Sequence, residues 1–387
     1  MKKLILSIGL ISFPALAVTY EYPYIYKDPR AMGMGGAYTA VGGSASSVFY
    51  NPAGLSFIKR EAGVEVDIIK ASIGVSKNTL DFINDLSDAL DAKDGDYLPP
   101  DGDDSDDQLY AVNEVLKNYQ GKNLHLDITD FSSISKKGEK IGFALGFLIS
   151  LKSDNRTHQG FGSDGVLETD SNVTYGGVLG FSYDLNIGGN KLSAGISAKY
   201  MHRESLRHNF TSRELVEHQD DLDNYIKDQL KRSETGVGFD TGIIYSFSQD
   251  SFLRPSVGLS LLNIGDLDFG EAGKIPMTTN LGLALRPKIP VFNEWIFAAD
   301  YIDIFNNYEE DSDIGKRIRL GAEVKLWDTA FSTFALRVGS YQGYATAGID
   351  LRLALLTLNF TTYAEEVGAY SGQDEDRRYL LGLYLGW

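Results

Sequence analysis

The sequence predicts an all-β protein, a transmembrane antiparallel β-barrel of about fourteen strands with its N-terminal segment folded inside as a hatch. Three observations predict it. From residue 62 onward, short runs alternate apolar with small or polar residues. The connections between those runs alternate long and short. Past the N-terminus no stretch reaches the roughly 18 consecutive apolar residues of a membrane helix.

The N-terminus reads as an export signal over residues 1–17. Lys2 and Lys3 form a positive start, Leu4 to Phe13 an apolar stretch, and Ala15-Leu16-Ala17 a small-residue cleavage site. Removing the two lysines takes the formal charge from −17 to −19. So acidic a chain disfavours nucleic acid and anionic lipid surfaces as partners. There is no cysteine, which excludes disulfides and thiolate metal sites.

The period-2 runs fall at 62–76, 123–136, 139–152, 171–184, 190–204, 234–248, 254–264, 277–286, 294–304, 315–327, 331–341, 343–352, 355–364 and 377–387. Most have the length a tilted strand needs to cross hydrocarbon. In 139–152, Ile141, Phe143, Leu145, Phe147 and Ile149 share one face, opposite Gly142, Ala144, Gly146 and Ser150. Successive side chains point to opposite faces, so one face suits lipid and the other a polar interior.

The long connections are 77–122, 153–170, 205–233, 265–276, 305–314 and 365–376, with one tight turn at Gln342-Gly343. The others (137–138, 185–189, 249–253, 287–293, 328–330 and 353–354) are short. Long external loops and short periplasmic turns are the bacterial barrel pattern, with both termini periplasmic. A soluble sandwich has no reason to alternate so. The last strand carries Tyr379, Leu381, Leu383, Leu385 and terminal Trp387 on one face. It resembles the C-terminal strand read by the barrel assembly machinery, an expected partner alongside outer-membrane lipid.

Residues 18–60 precede the barrel (61–387) and do not alternate. They contain Arg30-Ala-Met-Gly-Met-Gly-Gly-Ala-Tyr-Thr-Ala-Val and then Gly42-Gly-Ser-Ala-Ser-Ser-Val-Phe-Tyr-Asn-Pro-Ala-Gly-Leu55. The glycines at 33, 35 and 36 are no phosphate loop, because the Lys-Ser/Thr and the βαβ setting are missing. Clustered Gly and Ala instead let a backbone pack closely in a confined lumen.

This stretch resembles the N-terminal motif of the FadL/TodX outer-membrane transport superfamily, and is especially similar to its TraF-like and PorV-like branches. The resemblance implies a monomeric barrel with a hatch in the lumen, the motif residues being Gly33, Gly35, Gly36, Asn51, Pro52 and Gly54. It also implies that external loops capture a hydrophobic molecule and pass it to a lumen pocket. Phe49, Tyr50, Leu55 and Phe57 are the candidate pocket residues.

Two external loops, 77–122 and 205–233, carry helical patterns. Leu109, Val112, Leu116 and Tyr119 form one apolar stripe. That stripe is either a ligand-collecting groove or the packing face of helices that bury one another. Between the helices of the first loop, Asp94 to Asp107 is strongly acidic and matches no calcium-loop pattern beyond Asp-x-Asp spacing.

By strand parity Arg286, Asp300, Arg319, Glu323, Arg337 and Asp350 point into the lumen. Arg286 and Arg319 are expected near Asp300, and Arg337 between Glu323 and Asp350. Such pairs hold a barrel interior together, or grip a carboxylate head group. No catalytic motif, cofactor motif or metal set appears, so an enzyme is not expected. The expectation is passive uptake of hydrophobic or amphipathic molecules such as long-chain fatty acids. The alternative is a non-transporting surface barrel that serves as scaffold or partner-binding protein, PorV-like or conjugation-associated.

Overall fold

The computed structural model describes residues 21–59, 63–160, 165–248, 250–329 and 331–387. The expected export signal, 1–17, lies outside them. Fourteen strands form one closed barrel: β1 Val64–Ser76, β2 Asn123–Lys137, β3 Ile141–Gln159, β4 Gly165–Ile187, β5 Asn190–Thr211, β6 Arg232–Ser246 and β7 Ser256–Leu262 make the first half. The second half is β8 Thr278–Leu285, β9 Glu294–Tyr301, β10 Ile318–Asp328, β11 Ser332–Tyr341, β12 Tyr344–Leu353, β13 Leu356–Glu366 and β14 Glu375–Gly386. Each strand pairs antiparallel with the next, and β14 closes on β1, where Val66 and Trp387 exchange backbone hydrogen bonds of 2.8 and 3.0 Å.

The alternation in sequence becomes two surfaces. On β3, Ile141, Leu145, Phe147 and Ile149 are about half exposed, while Ala144, Leu148 and Ser150 are buried inside. Ile196, Val237, Phe239, Leu281, Val338, Leu358 and Leu383 continue the exposed apolar belt around the barrel. A contiguous belt of this extent is stable only against hydrocarbon. Among the described residues no helix is long and apolar enough to cross a membrane. Short turns fit their sequence: Gly188-Gly189 and Gln342-Gly343 carry positive φ at both positions (55° and 84°, 53° and 92°), as a two-residue hairpin turn requires.

The wall is uneven in height. β3, β4 and β5 have 19, 23 and 22 residues, against 7, 8 and 8 for β7, β8 and β9. This corrects two expectations. The connection 153–170 is mostly strand, because β3 and β4 stay in register from Ser153↔Ser171 to Gln159↔Gly165. The insertion expected at 205–233 begins as strand too, since β5 runs to Thr211. Both faces of these extensions carry Ser, Asn, Asp and Arg, so the alternation vanishes while the backbone ladder continues. In the other direction, 315–317 is a helical turn, and β10 starts only at Ile318.

Helices α2 (Thr79–Leu90) and α3 (Asp104–Asn118) fill the first loop, and α4 (Ser212–Glu217) follows β5. Asp103 caps α3 by accepting from the Ser105 N–H at 3.0 Å, and Thr211 caps α4 through the Glu214 N–H at 3.2 Å. The N-terminal segment, with α1 (Pro29–Gly33) and two short 3-10 turns, is buried against the inner faces of the strands.

Candidate functional site

The high wall divides this end of the molecule into two compartments. On β2, His125 and Asp127 point inward, so Leu124 and Leu126 between and beside them point outward. The same parity puts Ser153 and Asn155 of β3, Leu167 and Thr169 of β4, and Leu206 and Phe210 of β5 on the outer face. There α2, α3 and α4 cover them in one apolar core that includes Phe82, Leu86, Val112, Leu116, Tyr119 and Leu215. The expected groove residues Val112, Leu116 and Tyr119 are therefore buried in helix and wall packing, and Leu109 is half-buried. They form no open groove, and the helices stand beside the wall rather than over the mouth. A cavity of about 50 Å³ remains between α2 and the wall, lined by Phe82, Ile83, Leu86, Leu126, Leu167 and Phe210 among others.

The inner face of the same wall borders a polar hollow with Asp154, Arg156, Glu168, Asp170, Asp376 and Arg378. Its floor is an ionic network. Arg378 holds Glu21 at 3.0 Å and Asp376 at 2.7 Å, while Lys152 bridges Glu21 (3.2 Å) and Asp154 (2.8 Å). Lys27 pairs with Glu21 at 3.0 Å and with Glu365. Burial opposes ionisation of Glu21, yet Arg378, Lys152 and Lys27 outweigh it and hold its carboxyl well below the usual range. His125 sits between Asp154 (2.6 Å) and Asp127 (3.1 Å). Ligand atoms of Glu21, His125 and Asp154 lie within 4.8 Å of one another, but Arg378 and Lys152 already supply the positive charge there.

Deeper in, residues 28–58 rest on a ring of inward-facing wall glycines. A Cβ at Gly258 of β7 would meet the Thr39 carbonyl at 2.6 Å, and one at Gly339 of β11 the Gly35 nitrogen at 2.6 Å. Gly142, Gly195, Gly242, Gly282, Gly321 and Gly348 make like contacts from six further strands. The segment itself turns on left-handed Gly35 and Gly36 (φ 63° and 76°). Gly33 lies on Gly348, and Gly54 lies on Gly42. Asn51 caps the turn beginning at Pro52, its Oδ1 accepting from the Ala53 N–H at 3.0 Å. Its Nδ2 donates to the Thr39 carbonyl at 2.8 Å.

The expected pocket residues fill space. Phe49 packs between Tyr26 and Phe131 (centroids 5.0 and 4.9 Å), Tyr50 on Tyr38 (5.1 Å), and Leu55 is fully buried. Half-buried Phe57 is flanked by the Lys191 and Arg286 cations at 4.6 and 4.8 Å.

The lumen charges meet only partly as read. Arg337 does bridge Glu323 (2.6 Å) and Asp350. Arg286 does not pair with Asp300; it donates to the Val41 carbonyl at 2.6 Å. Asp300 accepts from the backbone N–H groups of Tyr38 and Thr39, each at 2.7 Å. Arg319 stands opposite Asp300 in register, but its guanidinium lies over the Tyr341 ring at 3.9 Å. Asp300, Arg319, Glu323 and Arg337 are buried. The partners of Arg286 and Asp300 are missed because they belong to the N-terminal backbone. Also missed are Glu21, Lys27, Asp28 and Arg30, whose one signal is charge amid Tyr- and Gly-rich sequence.

The family model described as "F plasmid transfer operon, TraF, protein" matches residues 48–274, more than half of the 387. The chain belongs to the TraF family. That match spans the last eleven residues of the buried segment, 48–58, and β1 through the loop after β7. No curated protein matches this TraF-family chain. Among solved structures it is similar to the Pseudomonas putida toluene transporter TodX (10% identity, 95% of this chain and 98% of that one, TM-score 0.49). It is also similar to a Pseudomonas aeruginosa FadL homologue (11%, 95% and 98%, TM-score 0.39) and to the Ralstonia pickettii toluene transporter TbuX (10%, 93% and 98%, TM-score 0.34).

Proposed function

We propose that this TraF-family barrel lies in a bacterial outer membrane and takes up hydrophobic or amphipathic small molecules passively, with residues 21–58 as a movable hatch. The observation that carries this reading is the glycine seat. An eight-stranded barrel is already filled by its own side chains, so fourteen strands enclose a wider space. Here the described residues 21–58 occupy that space as a separate segment, seated on the wall by backbone contact and ion pairs. A plug of that kind suits a gated passage, since displacing it frees the lumen without unfolding the wall. The motif at 30–55, which resembles that of the FadL/TodX superfamily, supports the same reading. Long-chain fatty acids are the first substrates to test. Cells with and without the gene would be compared for uptake of labelled fatty acids and alkanes. Faster uptake with the gene is expected, and equal rates would reject transport of those classes.

A second reading, a non-transporting barrel that serves as scaffold or partner-binding protein, is favoured by the lumen charges. Glu21, Arg378, Lys27 and Glu365 close the passage with buried pairs, which are costly to separate. Under this reading uptake stays at background even when the segment is loosened by substitution.

A further inference from the structure

The cavity under α2 lies on the lipid side of the wall. Its wall residues Leu124 and Leu126 share the outward face of β2 with Ile128, which is 44% exposed within the apolar belt. Ser153 and Asn155 share the outward face of β3 with Leu151 and with Ile149, 47% exposed in the same belt. The cavity's lower edge therefore stands two to four residues above lipid-facing side chains, roughly 7 to 13 Å along a strand. Leu80, at the start of α2 and next in sequence to lining Thr79, is 56% exposed.

Its few polar lining groups are already satisfied by the protein. Asn155 donates to the Ser153 hydroxyl at 2.9 Å and accepts from the Thr169 hydroxyl at 2.8 Å. The Thr79 hydroxyl donates to the His125 carbonyl at 2.9 Å. Each of these polar atoms already has a partner in the protein, and most of the lining is apolar, so the cavity offers water few partners. At about 50 Å³ it is a third of the roughly 150 Å³ cavity that accepts a benzene ring, so it suits a chain end rather than a ring.

We infer that this cavity holds the terminal carbons of a single alkyl chain of a membrane amphiphile, entering sideways from the leaflet on the loop side, between α2 and the outer face of β2 and β3. The inference needs the belt to face lipid but does not need uptake, since a non-transporting barrel holds the same chain. The lumen lies on the other side of the wall, so this site is separate from the hatch.

The test uses the full protein in phosphatidylcholine bilayers doped with a phosphatidylcholine whose acyl chain ends in a diazirine. After irradiation, labelled residues are mapped by mass spectrometry. Labelling of α2 and of Phe210 to Leu215 is expected, along with belt residues such as Ile149 and Tyr175. Leu86→Trp, which fills the cavity, should cut α2 labelling at least fivefold and leave belt labelling unchanged. Unchanged belt labelling also reports that the variant is folded and inserted. If Leu86→Trp fails to insert, Ile83→Trp at the half-buried rim should give the same loss. Labelling of α2 no stronger than that of residues 94–103, or undiminished in the tryptophan variants, would overturn the inference. Because uptake is measured separately, its failure and the failure of this site are distinguishable.

Discussion

Arg30 of the N-terminal segment grips Glu323 of β10 through two parallel hydrogen bonds, Nε to Oε2 at 2.8 Å and Nη2 to Oε1 at 2.7 Å. Glu323 is fully buried and also accepts from Arg337 at 2.6 Å. One carboxylate thus joins the segment to the wall with the geometry that only a guanidinium fork provides.

Arg30→Ala should loosen the segment, because Glu323 loses its bidentate partner inside the barrel. Breaking a buried pair costs about 3 kcal/mol, reduced here to the extent that Arg337 remains. Limited proteolysis of the folded barrel should show faster cleavage within 21–58, with heat resistance of the strands retained. Arg30→Lys should give an intermediate rate, since a lysine replaces the fork with a point charge.

The glycine ring makes a steric prediction. Gly258→Val puts branched carbons where the Thr39 carbonyl oxygen now lies, 2.6 Å from a Cβ, with Ala40 Cα and the Thr39 carbonyl carbon at 3.1 Å. The segment should be displaced while β7 keeps its ladder, because the three nearest atoms all belong to the segment and valine suits a strand. Planar-bilayer conductance is the check. The variant should show larger and more frequent openings than the parent, and an unchanged trace would count against a seated plug.

Both outcomes concern a part of the molecule that the sequence shows only in outline. The barrel was legible because the lipid belt imposes period 2 on every crossing strand, and all fourteen crossings lie where the alternation puts them, with ends moved by at most three residues except where β3, β4 and β5 run on by six or seven. What lies beyond the belt was not. Past Leu151 neither face of β3 needs to be apolar, since Asp154 and Arg156 face a polar hollow and Ser153 and Asn155 sit under helices. The ladder there is held by backbone bonds that leave no pattern. Likewise Asp300 and Arg286 were recognisable as lumen charges, but their partners are peptide groups of Tyr38, Thr39 and Val41, which no side-chain reading reveals.

Acid should release the segment. Burial opposes the charge on Asp28, but Lys70 at 2.8 Å, Ser46 and the Arg30 N–H outweigh it and hold the carboxyl below its ordinary 3.8. Glu21 is held below its ordinary 4.5 in the same way. A depressed carboxyl stabilises the fold above its unfolded value, and that stability is lost as pH falls below it. Protease sensitivity of 21–58 should be flat from pH 7 to about 5 and rise below about pH 4. Asp28→Asn should be more sensitive at neutral pH, with a shallower rise on acidification.

Closure of the barrel rests partly on the last residue. Trp387 and Val66 exchange both backbone bonds at the β14–β1 seam, beyond the bulge near Ile68. Deleting residues 385–387 removes that end of the seam, along with the Ile69↔Leu385 and Asp67↔Gly386 pairs. The truncated chain should lose the heat-dependent gel shift of a closed barrel, whereas Trp387→Phe, which keeps the backbone bonds, should retain it.

Passage through the lumen requires the N-terminal segment to move. The chain has no cysteine, and the Ser56 hydroxyl donates to that of Ser182 on β4 at 2.9 Å. Replacing both by cysteine therefore offers a tether between segment and wall with little change in volume. Labelled fatty-acid uptake would be measured in cells carrying the double variant, oxidised and then reduced. Movement of the hatch predicts uptake at the level of cells lacking the gene when oxidised, and recovery to the parent rate when reduced. Parent-level uptake by the fully oxidised protein would contradict it.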